Sequence, residues 1–505
     1  MSKIKIGWGE EKFVFNKPVA LQGQFAERIS EYEEKPLTAT AFVVESDDEQ
    51  MILCSVDLVG VSYPLVVAVR NLLADNKVGL DPEKVVISAI HTHTGPGYTG
   101  RGKSIMEDKI TSRSFRQLLE SELPADKHYV ESANVSDNDA IMNNDDLLVE
   151  ISSKIAKAIL DAWNSRSEGS FSSAFGRAVV GMCRRAAYSD GSAQMWGDTN
   201  RAVFTELEGG NDSGIELMYT FDENKKLKGI VANIACPAQC VQHRLFISPD
   251  FWGEAKMLLR KHFGEDIYLL ALCSAAGDQC PVDLVRWVEP ESDINDPNCK
   301  RTNPLKRKAD PSMFDLAGMR KAGKRIANEI IEVYNEGLDA PQEDVVFKHE
   351  VVNMQLPIRR ATLAEEKAAR AAIREYLNNK PGNTVDFNDA AALQVHLGIL
   401  RRMELQDKVD ILNTEIHIMR LGTLAIATNP FELFLDFGNQ IRARSYAEQT
   451  ILIQLANGTE GYLPTEKAEK GGHYSAFISS GKVGHIGGEQ LVRETLTHIN
   501  NMFEE

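Results

Sequence analysis

Short apolar runs rich in β-branched residues alternate along this chain with long amphipathic stretches. The runs cover residues 41–44, 51–58, 85–90, 229–235, 267–273, 416–428 and 451–455. Their length and composition predict buried strands, whereas apolar residues recurring every three or four positions predict helices. Helices are predicted over 147–163, 251–263, 314–334, 363–377, 431–444 and 488–500. The alternation predicts an α/β fold, with a mixed β-sheet core flanked by helices.

No boundary in the 505 residues is sharp enough to divide the chain into domains. Two polar stretches, near 99–145 and 283–315, are predicted insertions over the sheet, either as rims of a site or as surface excursions. Residues 363–400 predict a helical hairpin that turns at 379–383.

Composition narrows the class of protein. With 43% hydrophobic and 26% charged residues, the chain is typical of a folded enzyme and not of a disordered protein. The formal charge of −17 argues against a nucleic acid or an anionic membrane as partner. The sequence has neither a signal peptide nor a membrane-spanning run, so we expect a cytoplasmic protein. The sequence also allows a homo-oligomer.

Five predicted strands end in unusual polar turns. The turns are residues 91–97, 236–240, 273–281, 429–432 and 457–462. In open α/β sheets, ligands bind beyond the carboxyl ends of the strands. We therefore predict that these five turns line one site for a small molecule.

Two turns carry residues with acid–base or ligand chemistry. His91 and His93 are two positions apart, so both rings share one face if the strand continues, as metal ligands or as a ligand and a base. Glu432 has a simpler explanation, because the segment from Asn429 fits a capping box at the start of the next helix. From that segment alone, capping is the favoured interpretation.

Seven cysteines, odd in number and irregularly spaced, favour free thiols over a disulfide framework. The pairs 236/240 and 273/280 lack the usual spacing of a zinc knuckle, so buried inert thiols are the default interpretation. Cys280 lies in a turn that could expose a nucleophile. Arg184 and Arg185 suit a carboxylate or an oxyanion.

Four motifs, in chain order, resemble the catalytic domain of the neutral/alkaline, non-lysosomal ceramidases. They are H-T-H-T-G-P-G at 91–97, G-D-Q-C-P at 277–281, N-P-F-E at 429–432 and G-Y at 461–462. Residues 6–9, 38–44 and 56–57 also look like the start of that family. These ceramidases are zinc amidohydrolases that cleave the N-acyl bond of ceramide. The resemblance covers about residues 4 to 500 and implies one ceramidase-like catalytic domain without a C-terminal β-sandwich.

The resemblance also implies a set of site residues. The Zn²⁺ ligands would be His91, Cys236, Glu432 and Tyr462. The catalytic residues would be His93, Arg184, Cys280, Tyr462 and Tyr474. Gln239, His243 and Arg185 are expected to contact substrate, and Gln239 or His243 could replace Cys236 on the metal. Cys236 stands where the family has a histidine ligand, and Cys280 stands where it has a serine.

Three functions remain open at this point. The first is a zinc-dependent hydrolase of an amide-like bond, on a substrate other than ceramide, since a thiolate ligand makes zinc a weaker Lewis acid than an imidazole does. The second is a metal-assisted lyase acting on uronate-containing saccharides, with histidine and tyrosine as base and acid. The third is a non-catalytic ligand-binding protein that kept the fold.

Overall fold

The computed structural model describes residues 2–24, 27–47, 49–98, 113–131, 139–286 and 315–504. The two predicted insertions fall largely outside this range, at residues 99–112, 132–138 and 287–314. The described residues form two β-sheets packed face to face, with helices on both outer sides.

The larger sheet has eight strands. In chain order they are β1 (Lys5–Lys12), β2 (Thr38–Glu45), β3 (Gln50–Val56), β4 (Val85–Ala89), β5 (Ser167–Arg177), β6 (Gly214–Asp222), β7 (Leu227–Ile234) and β8 (Tyr268–Cys273). Their order across the sheet is β8-β7-β6-β5-β1-β2-β3-β4. The two outermost pairs, β7 with β8 and β3 with β4, are parallel, and the others are antiparallel.

The second sheet has four strands, in the order β9 (Phe347–Pro357), β10 (Ile411–Leu421), β11 (Leu424–Thr428) and β12 (Gln449–Ile453). Its last pair is parallel. Shorter strand pairs sit at the edges. The two that matter below join Met182–Cys183 to Gln279–Cys280, and Glu432–Leu433 to Tyr462–Leu463.

The helices, in chain order, are α1 (Tyr63–Asn76), α2 (Phe115–Glu122), α3 (Asn144–Asn164), α4 (Phe251–Phe263), α5 (Asp315–Glu336), α6 (Leu363–Asn379), α7 (Phe387–Ala392), α8 (Gln394–Gln406), α9 (Leu435–Arg444), α10 (Glu466–Gly471) and α11 (His485–Glu504). Short 3₁₀ turns cover Pro82–Lys84 and Ile478–Ser480. No helix among the described residues is long and apolar enough to cross a membrane.

Side chains that point alternately to the two faces of a strand form the apolar layers on either side of each sheet. In β2, Phe42 faces the second sheet and contacts its apolar residues, while Ala41 faces α1 and α3. On the far side, the outer face of the second sheet packs against α9 and α11. Successive side chains of a strand point to opposite faces, and strands such as β2 and β3 are covered on both, which explains their continuous apolar runs in the sequence.

The predicted fold class is confirmed, with local corrections. The run 416–428 is two strands, β10 and β11, joined at Gly422, whose φ is +61°. Helix α4 is capped by Asp250, whose carboxylate accepts from the amide of Phe251. The capping box at Glu432 is wrong, because α9 starts only at Leu435 and Glu432 forms a strand pair with Tyr462 instead.

Candidate active site

The five polar turns come together at one rim. The amide of Ala238 donates to the carbonyl of Ile90, and the amide of His93 donates back to Ala238, which joins the first two turns. The amide of Gly277 donates to Leu433 at 2.8 Å, which joins the third and fourth turns. Glu432 is in register with Tyr462, which brings in the fifth.

His91 is held in one orientation by its own backbone and by one carbonyl. Its φ of +66° is a left-handed conformation that only local constraints maintain in a non-glycine residue. Its Nδ1 lies 2.5 Å from the carbonyl oxygen of Val59, and since a carbonyl only accepts, Nδ1 carries the proton. Burial lowers the pKa of His91, so the ring is neutral and Nε2 presents a lone pair.

That lone pair faces a carboxylate. Nε2 of His91 lies 3.5 Å from Oε2 of Glu432, and both side chains are largely buried. Two acceptors so close together repel each other unless a proton or a cation lies between them. The pair could therefore hold a cation at this rim.

Tyr462, Tyr474 and Arg184 form the adjoining wall. Nη2 of Arg184 donates to the hydroxyl of Tyr462 at 3.2 Å and to the carbonyl of Gly277 at 2.9 Å. The two tyrosine hydroxyls are hydrogen-bonded, and their rings meet edge to face at 5.4 Å. Burial raises the pKa of Tyr474 to about 12 and the pKa of Tyr462 well above its usual value, so both phenols are protonated.

His93 lies edge-on to His91, with ring centroids 4.9 Å apart. Neither of its ring nitrogens has a hydrogen-bond partner within the described structure, although the ring is buried. Burial and the neighbouring His91 hold the pKa of His93 well below its usual range. Gly23 packs directly against this ring, and a Cβ there would lie 2.5 Å from Cγ of His93. An unpaired buried imidazole at a cleft needs a partner that a bound ligand or water would supply.

Both cysteines of interest are thiols at this rim. Sγ of Cys236 donates to the carbonyl of Pro237 at 3.5 Å, and burial beside Cys280 raises the pKa of Cys236 well above its usual value. Burial also raises the pKa of Cys280 to about 12, against the opposing effect of Arg184. In the part of the chain that the structure describes, no three His, Cys, Asp or Glu side chains are grouped as a metal site. Cys236 as a ligand therefore stays a prediction, which requires its thiol to turn from Pro237 and lose its proton.

The whole chain superposes on solved ceramidases. A neutral ceramidase from Pseudomonas aeruginosa matches over 100% of this chain and 75% of its own, with a TM-score of 0.66 and 16% identity. A ceramidase complexed with C2 matches over 100% and 76%, with a TM-score of 0.65 and 15% identity. The chain has the neutral ceramidase fold. No protein-family model and no curated protein sequence matches it.

Within this neutral ceramidase fold, the three predicted substrate-binding residues differ in position. Gln239 is buried beside the rim, and its Nε2 has no partner in the described structure. His243 lies 3.3 Å from a carboxylate oxygen of Asp315. Arg185 is fully buried and donates to protein groups, so it supports the wall of the site and does not line an open pocket. Substrate contact stays a prediction for all three.

Sequence reasoning missed the residues that brace the rim. Oε1 of Gln454 accepts from the amides of Ala276 and Leu433, which clamps two of the five turns together. Oδ1 of Asp278 accepts from the amide of Leu435 at the start of α9. The signal was present for Gln454, since an amide side chain in the apolar run 451–455 has to find partners when buried.

Proposed function

We propose that the protein is a zinc-dependent hydrolase of an amide-like N-acyl bond, acting on a small molecule or an oligosaccharide derivative and not on ceramide. The observation that carries the proposal is the facing pair of His91 Nε2 and Glu432 Oε2, beside Arg184 and two tyrosines, at the strand-end rim of a neutral ceramidase fold. A fold alone does not define a reaction, and it is this group of side chains that supports the proposed one.

The residues at the rim fit a zinc ion. Zinc binds nitrogen and oxygen ligands at about 2.0–2.2 Å, so two ligand atoms at a tetrahedral angle are about 3.4 Å apart. The distance between the His91 and Glu432 atoms is 3.5 Å. The Val59 carbonyl fixes the tautomer that leaves Nε2 free to bind a metal, as second-shell acceptors do in zinc sites. Tyr462 would be the next ligand, since it is paired in register with Glu432. A bound Zn²⁺ would supply Lewis acidity towards the acyl carbonyl.

The remaining side chains have separable roles. Arg184, whose charge is favoured by Tyr462, Cys280 and Glu432 in spite of its burial, stabilises the negative charge that develops on the carbonyl oxygen. His93 is neutral with both nitrogens unpaired, so it accepts the proton of the attacking water. Tyr474, hydrogen-bonded to Tyr462, gives its proton to the departing amine, and the proton that His93 took from water then restores the phenol.

The two cysteines make ceramide an unsuitable substrate in this proposal. Cys280 stays a thiol, so we assign the attack to water and place the Cys280 side chain in the wall of the site. Cys236 is buried where the related pattern has an imidazole, and a thiol there changes the shape and the hydrogen-bonding groups of the wall. A more soluble N-acyl compound, such as an acylated amino sugar or amino acid, is the class we propose.

The test is release of amine by the metal-loaded protein. Purified protein is stripped with a chelator, reloaded with Zn²⁺ and incubated with acylated amino sugars and amino acids, and free amine is measured with an amine-reactive fluorophore. We expect amine release with zinc, and losses of at least about 100-fold in Glu432→Gln and in Tyr462→Phe. The exposed residues Glu466 and Tyr446 provide matched controls, Glu466→Gln and Tyr446→Phe, which should keep wild-type rates.

The same experiment separates the other functions. An ultraviolet-absorbing unsaturated product from uronate-containing saccharides, without amine release, would identify a lyase. Saturable binding of a substrate without turnover would identify a binding protein. If zinc leaves both the amine signal and the thermal stability of the protein unchanged, the proposed zinc hydrolase is wrong.

A further inference from the structure

A second cavity, of about 290 Å³, lies between α4 and the ends of strands β1, β2, β3 and β8. None of the predicted catalytic, metal or substrate residues lines it. Its polar lining includes Glu10, Thr38, Thr40, Ser55, Asp57 and Trp252. The volume is near the lower end of small-molecule pockets, which span about 300–1,000 Å³.

The cavity occupies a place where the face of the sheet changes from apolar to polar. On β2 and β3, positions 42, 44, 51 and 53 belong to the apolar layer between the sheets. The positions that continue the same face are Thr38, Thr40, Ser55 and Asp57, each less than a tenth exposed. Polar side chains are costly in an interior that apolar ones could fill. Four of them on adjacent strands, around a void, indicate a binding site and not a packing layer.

Three charged residues of the wall, Glu10, Lys256 and Arg260, are already paired with one another. Nζ of Lys256 donates to Oε2 of Glu10 and to Oγ1 of Thr38, both at 2.9 Å. Arg260 donates to the other oxygen of Glu10, also at 2.9 Å. A charged ligand would have to compete with these internal pairs. An uncharged ligand would not, and it could share the remaining donors and acceptors.

One residue that lines the cavity has a buried donor without an acceptor. The indole Nε1 of Trp252 is buried without a hydrogen-bond partner in the described structure, and the residue is 2% exposed. By contrast, the indole of Trp163 donates to the carbonyl of Val78 at 3.1 Å. A buried donor left unpaired costs free energy, which an acceptor on a bound molecule would recover.

We propose that this cavity binds a neutral polyhydroxylated molecule of the size of a monosaccharide or a sugar alcohol. Hydroxyl groups both donate and accept, which suits a wall of threonine and serine hydroxyls, the Asp57 carboxyl and an unpaired indole N–H. The carbon skeleton of such a molecule suits the apolar part of the wall, which includes Leu269 and Ala271. The inference is independent of the reaction proposed above.

The cavity lies next to the segments that hold the catalytic rim. Asp57 lines it, and two residues later the carbonyl of Val59 meets the ring of His91. Pro249 also lines it, and the carbonyl of Ser248 accepts from the hydroxyls at positions 92 and 94. A bound polyol would therefore rest against residues adjacent to those that position the first histidine.

The test is direct binding of glucose, mannose, sorbitol and myo-inositol to the full chain, each titrated while ligand-observed NMR follows saturation. We expect saturable millimolar binding of at least one of them. Trp252→Phe and Thr40→Val each remove one hydrogen-bonding group and should raise the Kd about fivefold. Trp163→Phe is the matched control, with the wild-type Kd, because its indole lies elsewhere and is already paired.

Three results would overturn the proposal: no saturable binding of any of the four compounds, an unchanged Kd in both cavity variants, or tighter binding of the charged analogues gluconate or glucosamine. Trp252→Phe keeps a buried ring and removes an N–H that has no partner, but it also leaves a void, so the thermal midpoint of each variant is measured first to establish that the variant is folded. Should Thr40→Val fail to fold, the comparison of Trp252→Phe with Trp163→Phe decides the question alone.

Discussion

Replacing Arg185 tests how the wall that carries Tyr474 is held in place. Arg185 is fully buried, and its guanidinium donates to both carboxylate oxygens of Glu208. It also donates to the carbonyls of Gly472 and Tyr474, at 2.8 and 3.0 Å. The backbone of that loop has positive φ at Gly472, His473 and Ser475, a strained conformation that needs external support.

The expected loss of stability in Arg185→Met follows from the burial of the ion pair between Arg185 and Glu208. In Arg185→Met, the Glu208 carboxylate is left buried without its cation and two loop carbonyls lose a donor. Breaking a buried ion pair from one side costs about 3–5 kcal/mol, so we expect the free energy of unfolding to fall by about 4 kcal/mol. In the double variant Arg185→Met/Glu208→Met no charge is stranded, and we expect the loss to be smaller than the sum of the single losses by about 2 kcal/mol.

The assay is urea denaturation followed by circular dichroism, on the wild type, the two single variants and the double variant. The exposed pair of Lys467 and Glu206 is the control, because Glu206→Gln should cost under about 1 kcal/mol. Under conditions where Arg185→Met is still folded, amine release should also fall, since Tyr474 loses its support. Additive losses in the two single variants, or a loss below about 1 kcal/mol in Arg185→Met, would refute this reasoning.

Two further outcomes follow from the geometry. Gly277→Ala should lower both stability and turnover, because a Cβ there would lie 2.3 Å from the backbone oxygen of Glu432, whereas Gly210→Ala, with open space around it, should be neutral in thermal melts and rate assays. Burial alone would raise the pKa of Glu10, but two neighbouring cations lower it to about 2. The Glu10 carboxylate therefore contributes about 3 kcal/mol to the free energy of unfolding. This contribution is complete above pH 4.5 and is lost as the pH falls towards 2. When the free energy of unfolding is measured as a function of pH, the wild type should show this loss and Glu10→Gln should not. Equal slopes of free energy against pH in the two proteins would contradict the prediction.

Much of the fold can be predicted from the sequence, because a strand that is buried on both faces has a continuous run of apolar residues. Helix α4 was predicted over its observed range, and strands β4, β7 and β8 within a residue or two. Elements with weaker patterns were missed, including β6 and also β5, whose faces mix buried and exposed positions. Helix α1 was also missed, since its apolar stripe merges into the preceding run.

The sequence allowed candidate residues of the site to be named, but it did not predict how they are arranged in space. Strand ends with polar turns pointed to His91 and His93 from the residues themselves, whereas Cys236 followed only from the resemblance. Glu432 followed only from the resemblance, because its local pattern equally fits a helix cap. Nothing in the local sequence indicated that the Val59 carbonyl would fix the tautomer of His91, since a backbone carbonyl carries no sequence signal.

By itself, the amino-acid sequence determined the alternation of strands and helices and the presence of reactive side chains directly after apolar strands. Both are local properties, written in the spacing of apolar residues along a few turns or strands. Only the tertiary structure decided that Glu432 pairs with Tyr462 instead of capping a helix, that Arg185 is a buried support, and that a polar cavity lies beneath α4. These outcomes depend on which segments, far apart in the chain, meet after packing, and the free energy of those contacts is not encoded in any single segment.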